Sequence, residues 1–358
     1  MKIINDYILK ESKLSIVFGI TLFTFIFLIE IIVSMMESIL VKGLSVIDVA
    51  RMISFYLPMI LSQTIPMGIF LGIMITFGNF TKNSEITALN SMGVSLNKIL
   101  KPVVWIGMGA TLFIFFLQES LVPRSFIKLQ QLSYKMVYEN PVFQLRDKVL
   151  IDGFANYKIY IDSINKKTKD AEKVLVMIQE EDAKYPTLVL GKTANWEDAA
   201  LLLKDADFYR YDDKGELVVT GNFEKKRVPF TSYFKDISVK VKDIEGMNIH
   251  QLKQEIEKKD KSEIVPYIVE INRKIAVPMS TIALAILGVL LSIGNSRSGK
   301  GINFGIGIVV IFLYIVLLNI GIVFSYRGIM SPFVGVWTPN IILYIYTFIL
   351  YSRKVRLI

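Results

Sequence analysis

The segment Leu14–Met36 reads LSIVFGITLFTFIFLIEIIVSMM and holds one charged residue, Glu30, in 23 positions. About 20 mostly apolar residues in a helix cross a bilayer core about 30 Å thick, so the segment predicts a transmembrane helix. Lysines precede it, as in a secretory signal peptide. It is nevertheless longer than the apolar region of such a peptide, and no small-x-small cleavage site follows. We therefore predict a retained span.

Five further apolar runs give the chain a layout of three spans, a polar stretch and three spans. The six runs are Leu14–Met36, Met52–Phe80, Pro102–Val122, Ile275–Ile293, Ile302–Phe324 and Phe333–Tyr351. The polar stretch carries most of the charge and has no run long enough to cross a membrane. We therefore predict an α-helical membrane protein with spans 1–3 in residues 1–122, an inserted domain in residues 123–262, and spans 4–6 in residues 263–358.

The inserted domain contains short runs rich in Val, Ile, Leu, Tyr and Phe, separated by turn residues. The runs are Lys148–Asp152, Tyr157–Ile161, Lys173–Ile178, Thr187–Trp196, Ala200–Tyr211, Glu216–Phe223 and Val228–Val241. Strands at this spacing are typical of an antiparallel sandwich or jelly roll, so we predict an all-β, jelly-roll-like domain. A packed core and an apolar ligand site between its sheets are both compatible with the pattern. The segment Met247–Lys261 predicts a charged amphipathic helix that returns to the membrane.

The charge of the chain is unevenly distributed. Its 358 residues are 53% hydrophobic, with a mean hydropathy of +0.47 and a formal net charge of +9. Residues 124–263 hold 25 Lys and Arg against 24 Asp and Glu, so nearly all of the excess lies in the segments that flank the membrane. This distribution offers no basic stripe for nucleic acid.

The same basic residues predict the orientation of the spans. With a cytoplasmic N-terminus, the short flanks on that side hold eleven Lys and Arg, and the opposite short loops hold three. Because Lys and Arg concentrate on the cytoplasmic side of membrane proteins, we predict that both termini are cytoplasmic. The inserted domain then lies outside.

Composition excludes several kinds of chemistry. The chain has no cysteine and one histidine, His250, so it cannot build a thiolate or histidine metal site or a cysteine nucleophile. We expect no metal and no cofactor. The segment Gly294–Gly301 (GNSRSGKG) has the spacing of a P-loop, but Gly301 replaces the Ser or Thr that binds Mg²⁺, and the segment joins two spans. We therefore expect no ATP hydrolysis by this chain.

The loop between the second and third spans, Thr81–Gly93 (TKNSEITALNSMG), predicts a short amphipathic helix on the cytoplasmic face. Asn83 or Ser84 is a possible cap, and Gly93 can end the helix. An acidic residue stands in the first turn, where it suits the helix dipole, and apolar residues recur at helical spacing. These residues are Glu85, Ile86, Leu89 and Met92. Packing on lipid and docking of a cytoplasmic partner both explain such a helix.

Several charged residues stand near the outer ends of spans. Glu30 and Glu119 do so singly, whereas Glu270, Arg273 and Lys274 share the start of the fourth span. Spacings of three and four residues allow Glu270 to pair with either base on one helix face. Ionisable residues in spans are costly and mark functional sites, but anchoring at the lipid head groups also explains them. None stands at mid-membrane, which argues against an ion-coupled transporter.

The chain resembles the lipopolysaccharide-export permeases of the LptF/LptG (YjgP/YjgQ) type over its full length. The resemblance lies in the split six-span layout and in four strings. The strings are Asn83–Gly93 (NSEITALNSMG), Glu270–Lys274 (EINRK) with Pro278, Arg297–Lys300 (RSGK) and Gly335–Asn340 (GVWTPN). The first string is the most specific of the four.

The resemblance implies a permease subunit of an ABC transporter in a bacterial inner membrane, with ATP hydrolysis on a separate protein. It implies a second homologous permease, an LptB-type ATPase dimer docked on a coupling helix near residues 82–93, and LptC-like and LptA-like periplasmic bridge proteins that receive lipopolysaccharide. The implied coupling residues are Ser84, Glu85, Ile86, Leu89 and Gly93. The implied candidates for substrate contact are Lys42, Arg51, Arg273, Lys274 and Glu30.

The chain departs from that family in one place. Basic residues are expected near the outer end of the first span, whereas Glu30 and Glu37 stand there. The partner permease is one source of the missing charge. The alternatives are an ABC permease for another lipid or lipoprotein, a membrane-embedded enzyme and a structural scaffold. Lipoprotein permeases usually place the large domain after the first span, and an enzyme needs a convergent catalytic group for which this composition offers little.

Overall fold

The computed structural model describes residues 2–40, 46–139, 148, 150–154, 157–164, 170–179, 184–197, 200–212, 214–229, 244–260, 263–293 and 300–355. The chain divides into two compact units. A helical unit comprises Met1–Met36, Val49–Ile127 and Asp243–Ile358. A second unit, which contains the sheet, comprises Glu37–Asp48 and Lys128–Lys242.

Nine α-helices lie in the described ranges. They are α1 (Lys2–Leu40), α2 (Val46–Lys82), α3 (Glu85–Ser91), α4 (Leu96–Phe116), α5 (Val122–Glu139), α6 (Ile249–Ile256), α7 (Val265–Ser292), α8 (Lys300–Tyr326) and α9 (Pro332–Val355). A π-helical turn, Leu117–Leu121, joins α4 to α5, and a 3₁₀ turn, Ile244–Gly246, precedes α6. Within the same ranges, six helical segments are long and apolar enough to cross a membrane, which confirms the predicted spans.

Most of the spanning helices are longer than the apolar runs that predicted them. The 39 residues of α1 extend about 58 Å at 1.5 Å per residue, well beyond a bilayer core. The helix α2 continues through Pro58 and Pro66 without interruption. The predicted amphipathic helix after the sheet is confirmed over Ile249–Ile256, where a capping box of Asn248 and Gln251 fixes its start.

The helices α2 and α7 form the centre of the helical unit. Phe70, Leu71 and Phe77 of α2 and Leu290 of α7 have side chains with 0% exposure. By contrast, many large apolar side chains of α1, α8 and α9 are exposed, as lipid-facing surfaces are in a membrane protein. The burial pattern therefore matches central helices surrounded by helices that face lipid.

Two glycines allow α8 and α9 to pack backbone against backbone. A Cβ atom on Gly321 would overlap the carbonyl oxygen of Gly335, and neither backbone can yield without shifting its helix. We expect Gly321→Ala to destabilise the helical unit by about 1–3 kcal/mol, the usual range for overpacking. Thermal unfolding of the purified chain in detergent measures the loss. The matched control is Gly109→Ala in α4, where a Cβ meets nothing within 4 Å. If both variants melted at the same temperature, the close packing of the α8 and α9 backbones would be contradicted.

The second unit is built on one antiparallel sheet. Its strands are β1 (Leu150–Phe154), β2 (Tyr157–Ile164), β3 (Ala171–Ile178), β4 (Thr187–Glu197), β5 (Ala200–Tyr211) and β6 (Leu217–Pro229). In the described ranges each strand pairs with the next along the chain, so the sheet is an up-and-down meander. The inserted all-β layout is confirmed, and these six strands are joined in sequence order rather than by the crossovers of a jelly roll.

Period-two alternation places one row of aliphatic side chains on a buried face. Ile159 and Ile161 of β2 lie opposite Val176 and Val174 of β3, and all four side chains are fully buried. The sequence predicted two separate strands at 216–223 and 228–241. The break between them was wrong, because β6 runs continuously from Leu217 to Pro229. The rest of the second predicted strand lies outside the described residues.

Candidate functional site

The short helix α3 ends in a Schellman motif. The N–H of Val94 donates to the Leu89 carbonyl at 3.0 Å, and the N–H of Gly93 donates to the Asn90 carbonyl at 2.9 Å. Gly93 has φ +72°, which glycine adopts without the steric cost of a Cβ. The prediction that Gly93 ends this helix is confirmed.

The start of α3 differs from the prediction. Ser84 occupies the N-cap position with φ 59°, and its hydroxyl makes no capping hydrogen bond. Asn83 does not cap the backbone either; its Nδ2 donates to Glu85 Oε1 at 3.2 Å. The αL backbone at Ser84 lets the chain leave α2 and begin α3 within two residues. The prediction of Ser84 as a cap is therefore confirmed for its position, but neither Asn83 nor Ser84 makes a capping hydrogen bond.

The Glu85 carboxylate is also held by the first helix. The Tyr7 hydroxyl donates to Glu85 Oε2 at 2.8 Å. The Tyr7 ring stacks on Phe80 of α2, with ring centroids 5.4 Å apart. Tyr7 and Glu85 are 78 residues apart, so no local pattern in the sequence indicates their contact. The start of α1 therefore fixes the orientation of the acidic residue of α3.

The apolar residues of α3 point in two directions. Ile86 is 4% exposed and belongs to a core cluster with Ile8, Phe80 and Leu96, and Leu89 is partly buried against the same cluster. Met92 is 70% exposed. Ile86 and Leu89 are thus explained by packing within the protein. The exposed part of α3 consists of Thr87, Ala88, Ser91 and Met92.

A cavity of about 330 Å³ lies within the helical unit, and α1, α2, α7 and α8 contribute most of its lining. Three of the predicted substrate-contact residues, Glu30, Arg273 and Lys274, line it. Arg51 is not among its lining residues, and Lys42 lies outside the described part of the chain. The lining is mainly apolar; Phe27, Met67, Leu284, Ile311, Ile315 and Leu318 contribute to it.

Glu270, Arg273 and Lys274 form a buried ion cluster on one face of α7. Arg273 Nε and Nη2 donate to the two oxygens of Glu270 at 2.7 and 3.1 Å. Lys274 Nζ lies 3.9 Å from Glu270 Oε1. Only 7% of the Glu270 side chain and 4% of the Lys274 side chain are exposed. The predicted pairing is confirmed, and the acid pairs with both bases instead of one.

Glu119 has a structural role that the sequence did not indicate. It stands in the π-helical turn, and both of its carboxylate oxygens accept from the Ile249 N–H at 3.2 Å. Ile249 is the first residue of α6, whose N-terminal amide groups need acceptors. Glu119 therefore ties the third span to the helix that precedes the fourth.

Sequence reasoning missed several polar residues of the cavity, among them Gln118 and Glu245. Gln118 is 7% exposed, and its Oε1 atom has no partner among the described residues. Glu245 stands in the 3₁₀ turn before α6 and is exposed, yet it also lines the cavity. Neither stands in a recognisable motif along the chain. Only the tertiary structure brings them beside Arg273 and Lys274.

The string Gly335–Asn340 joins α9 to α7. Asn340 Nδ2 donates to the Ala276 carbonyl at 2.7 Å, and Trp337 Nε1 donates to Asn272 Oδ1 at 3.1 Å. The Tyr314 hydroxyl of α8 donates to Asn340 Oδ1 at 3.0 Å. These contacts fix the helices around the cavity. Most of the Gly294–Gly301 loop, with Arg297, lies outside the described residues.

The helical unit thus holds an amphiphilic cavity with a buried ion cluster, and a short exposed helix tied to α1 and α2. The family model for the lipopolysaccharide export system permease LptF/LptG matches residues 6–353 of the chain. No curated protein matches the sequence significantly. Because the match spans nearly the whole chain, including both the cavity and α3, this protein belongs to the LptF/LptG family of lipopolysaccharide export permeases.

Proposed function

We propose that this chain is one of two homologous permease subunits that extract lipopolysaccharide from the inner membrane. In this proposal an LptB-type ATPase dimer docks on α3, and LptC-like and LptA-like proteins carry the lipid onward. Both termini are cytoplasmic and the sheet is periplasmic. The charge asymmetry of the short loops supports this orientation.

The observation that carries the proposal is the continuity of α2 from the cavity to α3. Met59, Ser62 and Met67 of α2 line the cavity. From Met67 the same helix runs to Lys82, about 22 Å at 1.5 Å per residue, and α3 begins at Glu85. A packed helix transmits a displacement along its axis, so movement of α3 by a docked ATPase would reach the cavity wall.

A second connection runs along α1. Tyr7 at its start holds Glu85, and Phe27 and Glu30 further along the same helix line the cavity. In the proposal, Glu85 is the acidic contact to the ATPase, and the exposed side chains of α3 complete the docking face. Arg273 and Lys274 carry more positive charge than Glu270 neutralises, and they are the proposed contacts to substrate phosphate.

Co-expression with the ATPase and the second permease tests this function. We expect the three proteins to purify together, and we expect lipopolysaccharide to raise the ATP hydrolysis rate of the complex in nanodiscs. A matched complex with an ATPase that cannot hydrolyse ATP provides the background. Failure of the subunits to associate, together with an ATPase rate indifferent to lipopolysaccharide, would refute the proposal.

A further inference from the structure

The hydrogen-bond donors that line the cavity are largely used within the protein. The Ser62 hydroxyl donates to a carbonyl of its own helix at 2.7 Å, and Asn319 Nδ2 does the same at 2.9 Å. The Tyr314 hydroxyl donates to Asn340 at 3.0 Å. Arg273 donates twice to Glu270, and the Lys274 ammonium lies against the same carboxylate.

Three acceptors of the same cavity, on Glu30, Glu245 and Gln118, have no donor among the described residues. Glu30 and Glu245 make no ion pair or hydrogen bond with any residue in the described ranges. The third acceptor is Gln118 Oε1, which is buried and has no partner there. A buried carbonyl oxygen without a donor is unfavourable, so a ligand that donates to Gln118 removes that cost.

The formal charges of the lining also favour a ligand that carries a positive group. Three carboxylates, those of Glu30, Glu245 and Glu270, stand against two bases, Arg273 and Lys274. A ligand that offers only negative charge would therefore meet a lining with an excess of acid.

We propose that the cavity recognises a zwitterionic head group, a lipid phosphate that carries an amine substituent. The inference rests on the proposed function and names the class of lipopolysaccharide that this permease prefers. The phosphate lies against Arg273 and Lys274, where one positive charge remains after Glu270 is counted. The ammonium group donates to Glu30, Glu245 and Gln118, whose acceptors have no donor in the described part of the chain. Glu30, near the outer end of the first span, then selects a substrate feature.

The test compares two lipids in the same preparation. The permease complex that contains this chain is placed in nanodiscs and titrated with lipid A bearing unsubstituted phosphates. It is then titrated with the same lipid A bearing phosphoethanolamine. We expect the amine-substituted lipid to bind about fivefold more tightly, as two exposed ion pairs of ordinary strength allow.

Variants assign that preference to residues. Glu30→Gln combined with Glu245→Gln keeps side-chain size and removes both charges, and we expect the two lipids to bind equally. The control, Glu216→Gln, removes one charge from an exposed turn of the sheet unit and is expected to keep the preference. Because each variant is scored by the ratio of two affinities, partial loss of folded protein does not alter the result.

The outcomes separate this inference from the proposed function. The amine site is refuted if the wild-type complex binds both lipids equally. It is also refuted if the complex favours the unsubstituted lipid, as would happen if basic residues of the second permease neutralised the acids. In both cases the export function stands. A preference that survives in the double variant also refutes the site. If neither lipid binds, the proposed function itself fails.

Discussion

Glu85→Lys is expected to remove the ATPase from the purified permease complex. The substitution reverses the charge of the proposed docking contact and removes the acceptor for Tyr7 and Asn83. It also places a positive charge in the first turn of α3, where the helix dipole disfavours it. Loss of one partner from an interfacial charge pair costs about 2–5 kcal/mol, so we expect affinity for the ATPase to fall at least about 30-fold.

Two further variants test the origin of that loss. Tyr7→Phe keeps the ring that stacks on Phe80 and removes only the hydroxyl that orients Glu85, so we expect a smaller loss of ATPase affinity. Glu11→Lys makes the same charge reversal at an exposed position of α1, and we expect it to retain the ATPase. Quantitative co-purification and binding of labelled ATPase to nanodiscs measure all three. Wild-type affinity in the Glu85→Lys complex would refute the docking role.

Glu270→Ala is expected to have the largest effect on folding stability, a loss of about 3–5 kcal/mol. Glu270 pairs with two bases at once, and its side chain and that of Lys274 are almost fully buried. Removing the carboxylate leaves Arg273 and Lys274 as like charges on one helix face without a counter-ion. The midpoint of thermal unfolding in detergent reports the loss.

Glu263→Ala is the matched control, since it removes an exposed acid just before the same helix. Lys259 donates to Glu263 at 3.1 Å, and this hydrogen bond and the nearby carboxylate charge raise the pKa of Lys259. Surface ion pairs contribute little to stability, so we expect the control to melt close to the wild type. If Glu270→Ala melted equally close to the wild type, the ion cluster would not be a source of stability.

The six spans were predictable because each depends on a local quantity, the apolar content of about 20 consecutive residues. The pairing of Glu270 with Arg273 and Lys274 was also local, since a helix brings residues three and four apart onto one face. The end of α3 at Gly93 followed for the same reason, because a glycine past the last helical turn suits the αL backbone.

The parts of the site that escaped prediction depend on contacts between distant segments. Tyr7 reaches Glu85 because α1 packs beside α2 and α3, and nothing near residue 7 indicates this. Gln118 reaches the cavity from a π-helical turn, a local departure from the α-helical spacing on which sequence patterns rest. The sequence predicted two strands in place of β6 because charged residues 224–227 interrupt the apolar pattern. The backbone nevertheless continues to pair with β5.

The proposed function requires lipopolysaccharide to contact the lining of the cavity in the helical unit. A photo-crosslinking amino acid placed at Leu318, which lines the cavity, tests it most directly in living cells. The same amino acid at Phe312, which is 63% exposed elsewhere on α8, is the matched control. We predict a lipopolysaccharide adduct at position 318 that exceeds the adduct at 312 and disappears when the ATPase cannot hydrolyse ATP. No adduct at 318, or equal yields at both positions, would show that lipopolysaccharide does not use the cavity.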